Sequence, residues 1–434
     1  MYPLDPPAVF VHEDVMGSEL WRQRAMGVVE ALSKPVEPVV FADEQIPAMI
    51  DEGLLARRVP MGTLDEVHDP ILLFNTFRFD GRFDERVEAL RAAGLKADGG
   101  PLRALLGYGA YNWANYNLEG DPHRHDKVCR PCWRIHLQQG CLHKCLYCGF
   151  GGLLVSSVNV EEYCEHLGEI VRRHPWQTTF LLDDDADPPC LEPEHGVLGP
   201  LMEWFGTLDG RYLIIHTKTW NTEWTRDVDH KGNTIIVWSL SGPTQSRLLE
   251  PNTGTTAERI EAARVAQEAG IQIRYKFKPI VPVRRWREEA AEAVALLFER
   301  TRPDVISLCV FMWMDIEELL RRLPREELDP EFLQAAEESR DEVAGTRAKP
   351  FPHHVRQAIY EHYLAEIRKH DPDIPVSIST ENFAMWKALG PKLGFTATNY
   401  VCGCGPQSTP GAMKLACHPF KVAVRDDEGI PCTY

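Results

Sequence analysis

The chain has 434 residues, 44% apolar and 26% charged, as in an ordinary soluble globular protein, and can bury about three quarters of its unfolded surface in one large domain with appendages or in two domains. Its formal net charge of −17 repels polyanions in bulk, so nucleic acid is an unlikely partner on this ground. No apolar stretch reaches the about 18 residues of a membrane helix. The start, Met1–Pro7, lacks a basic segment followed by an apolar one, so the 12 cysteines read as reduced thiols and metal ligands of a cytoplasmic protein.

Residues 1–125 form an N-terminal extension of unclear fold. Helical spacing runs through Ser18–Leu32, Glu44–Arg57 and Asp84–Ala93, and Ile71–Phe74 reads as a strand. Tyr108–Asn117 is dense in aromatics and amides, which fits a packed cap, with a substrate-binding surface as the alternative. His123 and His125 are spaced to ligate a metal, though loop histidines are more often solvated.

Then comes the most informative run, with Cys129 and Cys132 followed by Cys141, Cys145 and Cys148. The last three are spaced C-x3-C-x2-C, so their thiolates reach one iron–sulfur cluster from a single short loop. Three ligands on a four-iron cube leave one iron open to bind a small molecule. Zinc and simple burial are the competing readings, but structural zinc usually takes two pairs of ligands with a longer gap.

From Ile135 the pattern is regular. Strands are expected at Arg134–Gln138, Thr178–Leu182, Tyr212–His216, Thr234–Trp238, Ile271–Phe277, Val305–Phe311 and Pro375–Ser379. Helices are expected between them at Val160–Arg173, Leu198–Phe205, Thr256–Ala269, Arg287–Glu299 and Pro352–Lys369, and after the last strand at Phe383–Leu389. This alternation predicts parallel β/α units with chemistry at the strands' carboxyl ends. The charged stretch Ile316–Glu342 reads as a solvated helical excursion. The domain plan is therefore an extension over 1–125, a main domain over 126–390 and a cysteine-containing tail over 391–434.

Several segments agree on a family. The cysteine motif with Tyr147 before its last Cys, the run Glu250-Pro-Asn-Thr253 entering Arg259-Ile-Glu-Ala-Ala263, Ala269-Gly270 and Phe277-Lys-Pro279-Ile280 resemble the spore photoproduct lyase branch of radical S-adenosylmethionine (SAM) enzymes. Thr217-Lys218, the Ser239 strand end, and Thr380-Glu381 with Trp386 look like that branch too. The resemblance covers roughly residues 133–390 and implies an α/β fold, a partial (β/α)6 TIM-like barrel of radical SAM type. It implies a [4Fe–4S] cluster on Cys141, Cys145 and Cys148, with SAM chelated to the open iron. Tyr147 would then lie against the adenine and Lys218 would pair with the SAM carboxylate. Ser239 would bond to the methionyl part or the ribose, Asp187 would accept from the α-amino group, and Ile280 would close the adenine pocket. A flavodoxin- or ferredoxin-type electron donor is implied as partner.

One departure qualifies the match. The namesake enzyme returns a hydrogen atom from a cysteine at the end of the second strand, and Asp184 stands at that place here. A carboxylic O–H bond is too strong for that task. The sequence therefore favours a radical SAM enzyme that forms a 5′-deoxyadenosyl radical and takes hydrogen from a small-molecule or peptide substrate in biosynthetic tailoring. DNA-lesion repair is the alternative, and a non-catalytic iron–sulfur or zinc protein is a further one. Cys402 and Cys404, flanked by glycines, are catalytic candidates as hydrogen donors or a redox pair. They could instead join Cys129 and Cys132 in a second metal site. Cys164, Cys309, Cys417 and Cys432 read as packing residues.

Overall fold

The structure is a computed structural model that describes residues 1–55, 69–96, 102–114, 127–130, 132–346, 348–397 and 399–411. His123, His125, Cys417 and Cys432 lie outside the described residues. The strands are β1 (Val9–His12), β2 (Val39–Phe41), β3 (Ile71–Asn75), β4 (Tyr111–Ala114), β5 (Cys132–Ile135), β6 (Gln138–Gln139), β7 (Leu153–Ser157), β8 (Thr179–Leu182), β9 (Tyr212–Thr217), β10 (Thr234–Leu240), β11 (Gln272–Ile280), β12 (Ile306–Val310) and β13 (Val376–Ile378).

They form two sheets. The larger has the order β13-β12-β11-β10-β9-β8-β5-β4; β5 and β8 to β13 run parallel, with β4 antiparallel at the edge. Crossover helices such as Leu198–Gly206, Thr256–Glu268 and Trp286–Arg300 return the chain between parallel neighbours. These strands are buried on both faces, which is why they read as near-continuous apolar runs. The result is a mixed α/β fold built on parallel sheets.

The second sheet, β2-β1-β3-β7-β6, takes most of its strands from the N-terminal extension. Two strands cross the expected boundary at residue 125. β4, from the extension, completes the edge of the larger sheet, whereas β6 and β7, from the main domain, join the smaller one. The Tyr108–Asn117 stretch is thus in part a strand, and Trp113 packs edge-on to Trp133 at 5.5 Å and Trp176 at 6.2 Å. Among the described residues no helix is long and apolar enough to cross a membrane.

The cluster loop, residues 140–152, hangs between β6 and β7. Gly140 sits at φ +96°, and a Cβ there would meet the Leu153 carbonyl oxygen at 1.8 Å, so only glycine allows the turn. The loop is cross-linked by Cys141 N donating to Phe150 O at 2.8 Å and Cys148 N to Cys145 O at 2.9 Å. It docks on the turn before the Thr256–Glu268 helix through Lys144 N to Pro251 O (3.1 Å) and Leu146 N to Leu249 O (2.9 Å).

Candidate active site

A cavity of about 470 Å³ opens at the carboxyl ends of the larger sheet. The cluster loop supplies one wall, with Cys141, Cys145, Tyr147 and Cys148; Asp184 to Asp187 follow β8, Lys218 and Ser239 come from the ends of β9 and β10, and Lys276 comes from the middle of β11. The loop therefore presents all three motif thiols to one space. A soft, sulfur-rich wall suits an iron–sulfur cluster, and the cavity has room for a further ligand beside it.

Lys218 is the hub of this wall. Its Nζ donates to Tyr147 Oη at 2.6 Å and approaches Cys145 Sγ at 3.6 Å and Glu250 Oε1 at 3.2 Å. Tyr147 in turn donates to Glu250 at 2.6 Å. Burial works against a charged Lys218, yet the Cys145 sulfur and the Glu250 carboxylate hold its pKa above the usual lysine value. Glu250 likewise resists burial: Lys218 and Arg259 keep it ionised well below the usual carboxylate range. Arg259, itself fully buried, bonds Glu250 at 2.6 Å, the Ser239 carbonyl at 2.9 Å and Thr253 Oγ1 at 2.5 Å. The Glu-Pro-Asn-Thr run and its helix are thus the cradle behind the cluster loop.

Asp187 is occupied. Its oxygens accept from His143 Nε2 (2.8 Å), Thr217 Oγ1 (2.6 Å) and Lys218 N (2.7 Å); burial opposes its charge, and these donors keep its pKa low. It ties the cluster loop to the end of β9. Ile280 is buried and paired to Val310, and Pro279 beside it faces the cavity. Asp184 is ion-paired to Arg134. Burial pushes Asp184 up, and Arg134 brings it below the usual carboxylate value.

Cys402 and Cys404 are not among the residues lining the cavity. Cys404 packs against Leu181, Ile214, Ile235 and Val237 on the sheet face beneath it. Glu381 and Trp386 are structural: Glu381 pairs with Arg356 at 2.8 Å, and Trp386 packs on Tyr400 at 4.5 Å.

Sequence reasoning missed Lys276, His216 and the His143–Asp187 bond. A signal existed for the first. Arg274, Lys276 and Lys278 alternate with apolar residues along β11, and period 2 puts three cations on one face of a buried strand.

A family model described as spore photoproduct lyase matches residues 129–313. Over these residues the chain is similar to the spore photoproduct lyase-like branch of the radical SAM proteins. A curated spore photoproduct lyase from Clostridium acetobutylicum is 25% identical over 175 residues, 38% of this chain and 52% of the relative. The matched region thus spans about half of that relative's length. Among solved structures, a doubly substituted spore photoproduct lyase with bound AdoMet and dinucleoside spore photoproduct aligns with TM-score 0.57 at 15% identity, over 87% of this chain and 98% of that one. A spore photoproduct lyase complexed with the dinucleoside lesion gives TM-score 0.55 at 14% identity, with the same coverage. These likenesses show a shared fold, including over most of the N-terminal extension.

They also correct one expectation. Nucleic acid was discounted on bulk charge, yet the lyases on this fold hold a dinucleoside lesion. Net charge is a long-range average screened within about 8 Å at physiological salt, and it does not describe one cleft whose lining sets Lys218, Lys278 and Arg322 among Asp184, Asp185, Asp187 and Glu318.

Proposed function

We propose that this chain is a radical SAM enzyme acting on a damaged dinucleoside unit of DNA. The observation that carries the reading is the pairing of the three-thiol wall with an aromatic mouth. Trp313 is 41% exposed while lining the same cavity as Cys141, Cys145 and Cys148. An exposed indole offers a base a stacking face, and Lys278 offers charge to a backbone phosphate.

In this reading the three thiols hold a [4Fe–4S] cluster and Lys218 meets the SAM carboxylate. When bound, the cluster and SAM supply a 5′-deoxyadenosyl radical that takes hydrogen from an unactivated carbon. The chain's part is positional. Glu250 and Arg259 fix Lys218 and Tyr147, Asp187 fixes the cluster loop through His143, and Trp313 orients the substrate at the mouth. The larger sheet, curled as a partial barrel, would exclude water from the space between them. A small flavodoxin- or ferredoxin-type protein would deliver the electron.

A second reading, tailoring of a small molecule or peptide, is favoured by Asp184, which is tied to Arg134 and unsuited to return a hydrogen atom. One experiment separates the two. The anaerobically reconstituted chain receives SAM, a reductant and dinucleoside spore photoproduct. Formation of 5′-deoxyadenosine with conversion of the lesion to thymidines supports lesion repair. Formation of 5′-deoxyadenosine with the lesion intact moves the assignment to tailoring, and no SAM cleavage rejects both.

A further inference from the structure

One face of the larger sheet changes character as it reaches the cavity. Leu181, Ile214, Ile235 and Val237 pack together there as an apolar layer. The pairing of the strands sets His216 beside Val237 and Lys276 beside Ser239, and period 2 keeps these residues on the face that carries Ile214 and Ile235. Toward the carboxyl end the same face is therefore polar, and His216, Ser239 and Lys276 all line the cavity.

His216 is the unusual member. It is 8% exposed, and neither ring nitrogen has a nitrogen or oxygen partner. Burial, helped by Lys276, pulls its pKa down to about 4, so the ring is neutral, with one N–H and one bare nitrogen. With the N–H toward the sulfur of Cys404, the bare nitrogen is left as an acceptor at the cavity floor. Lys276 stands on the same floor as a donor, its pKa lowered to about 7 by burial and by Lys278. Asp184, the carboxylate that faces it, is ion-paired to Arg134. Buried polar groups left unmatched cost stability, and a ligand that matches them recovers that cost as affinity and selectivity.

We propose that Lys276 and His216 form a subsite on the cavity floor that hydrogen-bonds the carbonyl and imide N–H along one edge of a thymine-type base. The donor pattern selects that chemistry. A 2,4-dioxopyrimidine sets a carbonyl acceptor next to an N–H donor, which is the complement of an ammonium next to a bare imidazole nitrogen. Cytosine reverses the two, turning its amino group toward Lys276 and its ring nitrogen toward His216, so it meets donor with donor and acceptor with acceptor. Enzymes that act on a base commonly read this edge by hydrogen bonds and hold the ring by stacking. A dinucleoside lesion has two bases, one for the Trp313 indole and one for the floor. The subsite rests on the lesion reading above and adds to it the residues that select the base.

The test is a binding titration on the full-length, anaerobically reconstituted chain with SAM present. Its two ligands are dinucleoside spore photoproduct and the same compound methylated on its imide nitrogens. Methylation removes the N–H that His216 accepts and should weaken binding to the parent by at least about tenfold. In His216→Ala, which removes the acceptor and opens room for the methyl group, that penalty should vanish; a variant that acts only through the fold would weaken both ligands alike. Lys276→Met, made separately so that each substitution stands alone, should weaken the unmethylated lesion by about tenfold. A methylation penalty that persists unchanged in His216→Ala overturns the subsite, as does a Lys276→Met chain that loses affinity for SAM and keeps it for the lesion. A parent chain that binds SAM and no lesion overturns the substrate reading itself, and the subsite with it.

Discussion

The two ends of the larger sheet use sulfur and charge in opposite ways. At the carboxyl end three thiols sit on one short loop and face a cavity, and the buried charges Lys218, Glu250 and Arg259 are gathered behind them. Toward the amino end four thiols come from two remote segments, and the buried cation Arg274 spends its donors on main-chain carbonyls and on Asp304. Charges gathered behind a cavity can act on what enters it, whereas a buried cation spent on backbone carbonyls holds a segment against the sheet. The difference teaches that cysteine count alone separates neither role. What separates them is whether the thiols share a wall with empty space.

Changes at the two ends should therefore fail differently. Replacing Cys145 with Ala should lower 5′-deoxyadenosine formation to background, a loss of at least about a thousandfold by chromatographic assay, with the melting temperature of the cluster-free chain little changed. Arg274→Ala should do the reverse. Stranding Asp304 and three carbonyls costs about 3–5 kcal/mol in urea unfolding, while SAM cleavage per folded molecule stays near the parent's. If Arg274→Ala abolishes cleavage in folded protein, the contrast between the ends breaks down. Trp313→Ala sharpens the carboxyl end further. Losing one stacking face should weaken binding of the dinucleoside lesion by about 1–3 kcal/mol, read by titration, with SAM affinity unchanged.

An effect confined to acid pH lies away from both ends, at the seam between the sheets. His195 is fully buried, with Ser156 Oγ at 3.3 Å and the Phe74 ring at 5.9 Å. Burial, helped by Arg24, pulls its pKa down to about 3. A base depressed in the folded state leaves stability intact above its unfolded value near 6.5 and removes it as pH falls toward 3. The slope should approach about 1.4 kcal/mol per pH unit in that window, and His195→Gln should flatten the acid limb of a stability profile.

Much of this was legible in the residues. The alternation from Ile135 onward gave β8 to β13 nearly to their ends, because strands buried on both faces and helices with one apolar stripe leave distinct periods. That the three motif thiols share one wall was legible because all three lie within eight positions, and that Lys218 and Ser239 face the same cavity because they end strands. The extension was legible in part: the helices Glu19–Glu30 and Phe83–Ala92 and strand β3 lie where spacing put them. β1, β2 and β4 are short, and their partners are remote in sequence, so periodicity had little to register there. β7, Leu153–Ser157, ends in two buried serines that disguise a central strand. Glu250 and Arg259 were noticed as a motif, but their contact crosses a turn that no spacing rule reports. Trp313 drew no attention because a lone tryptophan after a strand looks like core until its exposure is known.

The exchange of strands across residue 125 has a practical outcome for anyone cutting this gene. β6 and β7, which carry the two feet of the cluster loop, are pinned to β3, and Tyr2 reaches Trp220 N with its hydroxyl at 3.0 Å while its ring packs on His143. Deleting the first hundred residues would not trim an ornament. It would take away the scaffold from which the cysteine loop is suspended, leaving the larger sheet with its three motif thiols adrift.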